Sequence, residues 1–214
     1  MASVPPSLIM GQSFLLNEPG HDHVWSELLA KDPAAAAEAA LAEWLGGHDF
    51  LLKMLGETYL FEASERKVTG PVTRPAPDKR AGLCLLNYLN GAKKTELSGR
   101  MVPETVLPGG DRFFSGGHAL TRQPLIKAFG ENGQAMLAAA EALGGQRVPS
   151  EIGAFSFTIF LMPRIFLQVT LCEKDDEFPA EVYYAFDSTA SEHVSLGILA
   201  ALVGLLSTCL TEKL

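Results

Sequence analysis

The sequence predicts an α+β fold: a single domain with a central, mainly antiparallel sheet flanked by helices, and an apolar C-terminal helix. Three observations carry this. The β-rich runs come in neighbouring pairs, 49–55 with 58–63 and 154–162 with 165–172, and a short connection between strands enforces antiparallel pairing. The helical segments are grouped between these pairs and do not alternate with single strands, which argues against a parallel α/β sheet. The last helix, 191–210, is apolar over most of its circumference and has to be buried on more than one side.

Residues 1–20 carry Pro5, Pro6, Pro19 and Gly20 and read as an irregular entry arm; the domain then spans 21–214. A short helix is expected over 23–30. Asp32-Pro33 is a helix start, with aspartate as N-cap and proline at the first helical position. The alanine-rich helix is expected over 34–45, closed by Gly46-Gly47, with Ala37, Leu41 and Trp44 on one face. Gly56-Glu57 is the expected turn of the first strand pair. The stretch 64–80 reads as a loop, and Asp78 as the cap of a helix over 80–89 that Gly91 ends. Residues 92–118, with Pro103, Pro108, Gly109-Gly110 and Gly116-Gly117, form the least regular region, and loops of that length tend to be functional. Helices over 121–129 and 133–143 follow. After the second strand pair come a strand over 181–186 and a capping box, Thr189 with Glu192, opening the C-terminal helix. No solenoid repeat is present; the halves share only a faint likeness, a strand pair near a helix with a Gly-Gly end.

The composition narrows the function classes. The chain has 214 residues, 47% of them hydrophobic and 20% charged, which excludes wholesale disorder. The formal net charge of −8 is the wrong sign for a generic nucleic-acid binder. Residues 1–11 lack the basic segment and apolar run of a secretory signal. The most apolar run, 194–207, is shorter than the about 20 residues that a membrane span needs. A soluble cytoplasmic protein is therefore expected. Cys84, Cys172 and Cys209 are widely spaced, odd in number and set among leucines, as reduced cysteines packed like small hydrophobes. No CxxC, GxGxxG, GxxxxGK[ST], GxSxG or HExxH occurs, which lowers the standing of zinc, Rossmann, P-loop, α/β-hydrolase and zincin readings. Gly11-Gln12-Ser13 lacks the closing glycine of a nucleophile elbow. No cofactor is named by any motif.

Three segments in the last third follow one another in order: Phe160-Leu161-Met162-Pro163-Arg164-Ile165, Asp175-Asp176-Glu177-Phe178-Pro179-Ala180, and Ala185-Phe186-Asp187-Ser188-Thr189-Ala190. With Leu85-Leu86-Asn87-Tyr88-Leu89 and the central Gly-Gly-Asp-x-Phe-Phe stretch, they resemble a family of uncharacterised proteins found mostly in anaerobic bacteria and archaea. Where members typically read Asp-Glu-Glu-Phe-Pro, this chain has Asp-Asp-Glu. Some members resemble fusions to a four-cysteine iron–sulfur module of the corrinoid-protein type, which has no counterpart among these residues. The resemblance implies anaerobic, corrinoid- or metal-linked physiology. It assigns no reaction and carries over no catalytic residue.

Five residues are candidates for ligand binding: His118, Asp111, Arg164, Glu177 and Asp187. His118 follows Gly116-Gly117, which expose the ring, with Asp111 near enough in sequence to orient it. Glu177 closes an acidic run, Asp175-Asp176-Glu177, whose oxygens suit a hard cation but without EF-hand spacing. Asp187 stands between a strand and a helix. Arg164 lies in the turn of the second strand pair, fit to clamp a carboxylate or phosphate or to pair with Asp187 or Glu177. His21 and His23 offer two metal ligands at i, i+2 if extended. Trp25 and Trp44 read as core. Three functions compete. The first is a non-catalytic accessory protein binding a small molecule or cofactor under the 92–118 loop. The second is an enzyme using His118 with an acid. The third is an interaction module forming a homodimer through its C-terminal helix.

Overall fold

The computed structural model describes residues 11–17, 20–71, 79–149 and 155–212. The chain divides into two compact units, Met1–Lys94 and Thr95–Leu214. Each holds one five-stranded antiparallel sheet and its own helices, so the α+β class and the antiparallel pairing stand, with the strands shared between two sheets.

In the first unit the sheet order is β1-β5-β4-β3-β2. The strands are β1 (Ser13–Leu15), β2 (Glu43–Gly46), β3 (Asp49–Met54), β4 (Glu57–Glu62) and β5 (Lys67–Thr69). The helices are α1 (Asp22–Ala30), α2 (Pro33–Ala40) and α3 (Lys79–Gly91). The core closes on Trp25, stacked on Phe61 at 5.4 Å, with Phe50, Leu85 and Leu86 fully buried around it. The Tyr88 hydroxyl, also buried, donates to the Ala40 carbonyl at 3.1 Å.

Asp32 caps α2 as its sequence predicts, accepting from Ala35 N at 2.7 Å. The helix, however, stops at Ala40 and does not reach residue 45. Leu41 turns left-handed (φ 52°), and Ala42 N closes the end on Ala37 O. Glu43–Gly46 is thereby freed to pair with β3. The β3–β4 turn sits one residue earlier than expected, at Leu55-Gly56, both with positive φ. The expected loop 64–80 contains β5, and Asp78 lies outside the described residues.

In the second unit the sheet order is β6-β10-β9-β8-β7. Its strands are β6 (Met101–Pro103), β7 (Gln146–Arg147), β8 (Phe155–Met162), β9 (Ile165–Cys172) and β10 (Glu181–Asp187). A 3-10 turn (Glu104–Val106) precedes α4 (Gly110–Phe113), α5 (Gln123–Phe129), α6 (Gly133–Glu141), α7 (Ala190–His193) and α8 (Leu196–Thr211). The pleat separates two faces. Phe157, Val169 and Tyr184 form one cross-strand row of the buried apolar face, served by α5, α6 and α8. Ser156, Thr170 and Tyr183 form the adjoining row on the opposite face, and Thr158, Gln168 and Ala185 the next.

The C-terminal helix is not one helix over 191–210. The Thr189 hydroxyl does not cap it, because it donates to Asp187 at 2.7 Å. The chain re-extends at Val194, and Ser195 caps α8 by accepting from Ile198 N. Leu199, Leu202, Val203, Leu206 and Leu210 of α8 are fully buried within this one chain. Among the described residues, no helix is long and apolar enough to cross a membrane.

Candidate functional site

The residues that the sequence singles out fall into three places. Asp187 is fully buried at the end of β10. Its carboxylate accepts from Ser98 N (3.1 Å), Ser98 Oγ (3.0 Å), Gly99 N (2.8 Å), Thr189 N (3.0 Å) and Thr189 Oγ1 (2.7 Å). Burial pushes this carboxyl up, but the bonds from Thr189 and Ser98 outweigh it and hold it below its ordinary value. Arg164, also buried, donates to Thr95 O at 3.0 Å and lies 3.7 Å from the exposed Glu96. Arg164 and Asp187 thus grip the same segment, 95–99, from its two ends.

His118 and Asp111 are both exposed. The His118 ring stacks on Phe113 at 4.7 Å. Among the described residues no hydrogen bond joins His118 to Asp111, Glu177 or Asp187. Glu177 sits in an exposed turn, where its N–H and that of Phe178 both donate to Asp175. Those bonds, Phe178 first, hold the Asp175 carboxyl below its usual value. His21 is the cap residue of α1 and His23 its second helical residue, so the two do not form the extended i, i+2 pair. Among the described residues no group of three or more His, Cys, Asp or Glu side chains is placed to hold a metal ion. Cys84, Cys172 and Cys209 are unbridged. Trp25 is core, whereas Trp44 is exposed and donates its indole N–H to Gly47 O at 3.0 Å.

The most organised polar arrangement in a concave place was not singled out by any motif. Arg122, the residue before α5, donates from Nε to Val182 O (2.9 Å) and from Nη1 to Leu120 O (3.1 Å). Its Nη2 pairs with Glu104, only 6% exposed in the 3-10 turn. The guanidinium also lies 5.3 Å from the Tyr184 ring centre. The Tyr184 hydroxyl donates to Thr121 O at 2.8 Å, and burial pushes it up to about 12, so it stays protonated at neutral pH. This arrangement exists because β6 covers only Ala185–Asp187 of β10. Beyond that short strand, Arg122 takes the Val182 carbonyl that a longer β6 would have taken.

Two hollows share Arg122 and Tyr183. One, of about 490 Å³, lies over Gln168, Thr170 and Ala185 and is walled by Pro103, Glu104 and Pro149. The other, of about 820 Å³, runs along α5 past Lys127 and Lys174. Both are within the size range of small-molecule sites. A buried ion pair is costly unless its geometry and hydrogen bonds are good, and as a purely stabilising device it is often bettered by hydrophobic packing. A pair with its carboxylate buried and its guanidinium at the wall of a cleft therefore marks a candidate site. Nothing in the spacing reveals it: Glu104 and Arg122 are 18 residues apart on irregular segments. Only the strand pairing brings them together.

Fold and cleft define an antiparallel α+β protein with a polar hollow built on one strand edge. The chain belongs to the family described as Domain of unknown function (DUF3786), whose profile matches residues 32–208. This agrees with the resemblance to an uncharacterised family that its motifs carry. No curated protein and no solved structure matches the chain.

Proposed function

We propose that this chain is a non-catalytic ligand-binding or accessory protein, and that its ligand occupies the hollows around Arg122. The observation that carries this reading is the Glu104–Arg122 pair, buried on its carboxylate side and left open to a cleft on its guanidinium side. The setting is the anaerobic, corrinoid- or metal-linked metabolism that the family resemblance implies. Arg164 and Asp187 serve the site indirectly, by holding the segment 95–99 that leads into β6. An enzyme using His118 with an acid has less support, since His118 stacks on Phe113 and meets no carboxylate among the described residues. A homodimer through α8 also has less support, since that helix already buries Leu199, Leu202, Leu205, Leu206 and Leu210 within one chain.

The test is anaerobic purification of the untagged protein, followed by an absorption spectrum, elemental analysis and native mass spectrometry of one sample. A bound small molecule or metal complex is expected, and it should be lost in Arg122→Gln. A bare polypeptide mass with no absorption band and no metal overturns the reading of a tightly held ligand. Equal retention by Arg122→Gln moves the ligand elsewhere.

A further inference from the structure

The hydrogen bonds inside the smaller hollow specify the chemistry of what it holds, an inference that rests on the site reading above. Ser156, 2% exposed, has one hydroxyl hydrogen, and that hydrogen goes to Val169 O at 3.2 Å. The Ser156 oxygen therefore accepts from its two other neighbours. One is Gln168 Nε2 at 3.0 Å, and the other is Thr170 Oγ1 at 2.9 Å. Thr170, 4% exposed, spends its only hydrogen there. What these side chains still offer the hollow is two acceptors, Gln168 Oε1 and the remaining lone pair of Thr170, and one donor, the second Gln168 Nε2–H.

Arg122 supplies the opposite character. A guanidinium has five N–H groups. Three are committed, to Val182 O, Leu120 O and Glu104, which leaves two for a ligand. Donors and acceptors thus line one small cleft, with Tyr183, Pro103 and Pro149 giving flat, weakly polar walls.

We propose that this hollow binds a neutral carboxamide group carried on a small organic molecule. The amide carbonyl accepts from Arg122, and the amide N–H groups donate to Gln168 and Thr170. The alternatives match less of the lining. A carboxylate can accept the second Gln168 N–H, but it brings no hydrogen for Gln168 Oε1 or Thr170, and it must share Arg122 with Glu104. An ammonium group satisfies the acceptors but faces the guanidinium. A site whose buried polar groups are met by one ligand discriminates strongly against analogues that leave them unpaired.

Three probes with one ring and different head groups test this on the full chain: benzamide, benzoate and benzylammonium, titrated by ligand-observed NMR. Benzamide is expected to bind at least tenfold more tightly than the other two. Gln168→Leu, close in volume, should weaken benzamide about tenfold, because both its acceptor and its remaining donor for the amide are lost. If that variant does not fold, Gln168→Glu keeps the test: its carboxylate still accepts from the amide N–H, so benzamide affinity should be retained while benzoate is repelled. Benzoate or benzylammonium binding as tightly as benzamide overturns the carboxamide assignment, as does an absence of benzamide binding. The site reading fails by a separate sign: benzamide binds, but Arg122→Gln leaves its affinity unchanged.

Discussion

Gly99 gives its backbone N–H to the Asp187 carboxylate over 2.8 Å, across 88 positions of sequence. The contact pins the segment 95–99 against the end of β10, where β6 begins its pairing. Gly99 holds φ at +72°, a backbone state that a side chain would strain. Asp187→Asn replaces one acceptor oxygen with an NH₂ that faces N–H donors, so it should destabilise the protein by about 3 kcal/mol, read from urea unfolding. The carboxyl lies below its ordinary value in the fold, so its contribution is complete above the unfolded pKa and is lost as pH falls through the lower folded one. The wild-type and Asp187→Asn curves should therefore converge in acid. A constant gap down to low pH would show that the charge is not what holds the segment.

The parts that sequence reading found are those written locally. Asp32-Pro33 places the start of α2, and the runs 49–55 and 165–172 place β3 and β9, because N-caps and β-rich runs between turns act over a few residues. The parts it missed depend on distant partners. The hydroxyl of Thr189 caps no helix because Asp187 takes it, and Asp187 is ordered by Ser98 from far along the chain. The cleft is of the same kind, since Arg122 and Glu104 carry no motif and meet only through the register of β6 on β10.

Leu41 is the local feature that misled the reading of α2. Helices commonly close on a glycine in the left-handed conformation, and here a leucine, 56% exposed, occupies that state. Leu41→Gly removes backbone strain at little cost in burial. A gain of about 1 kcal/mol in unfolding free energy is expected. A loss would mean that the exposed side chain is making a packing contribution after all.

Asp49 lies opposite Glu62 across β3 and β4, with Lys67 beyond it on β5 and bonded to Glu62 at 2.8 Å. Burial, and then the Glu62 charge, push the Asp49 carboxyl above its ordinary value of 3.8. For an acid raised in the fold, the folded state binds the proton more tightly. Stability therefore falls as pH rises from the unfolded pKa to the folded one, and the cost is constant above that. Asp49→Asn should raise the melting temperature at pH 7, by a free energy below about 1 kcal/mol because the group is half-buried and water screens it. The gain should vanish below the ordinary aspartate pKa. A gain that persists in acid would assign the effect to packing.

Gly110 tests the wall of the cleft from behind. A Cβ built there would stand 2.1 Å from the Glu104 carbonyl oxygen, and Gly110 N already bonds Leu107 O at 2.7 Å. Neither backbone segment can retreat without moving the 3-10 turn that aims Glu104 at Arg122. Gly110→Ala should therefore cost more than about 2 kcal/mol, the range of an overpacked buried site. Gly116→Ala is the control, since nothing lies within 4 Å of its Cβ position, and a change within about 0.5 kcal/mol is expected. If Gly110→Ala folds, its displaced Glu104 should also weaken benzamide in the NMR titration, whereas Gly116→Ala should leave that affinity as it is. Loss of stability without loss of affinity would separate the turn from the site, and would leave Arg122 held by its two carbonyl partners alone.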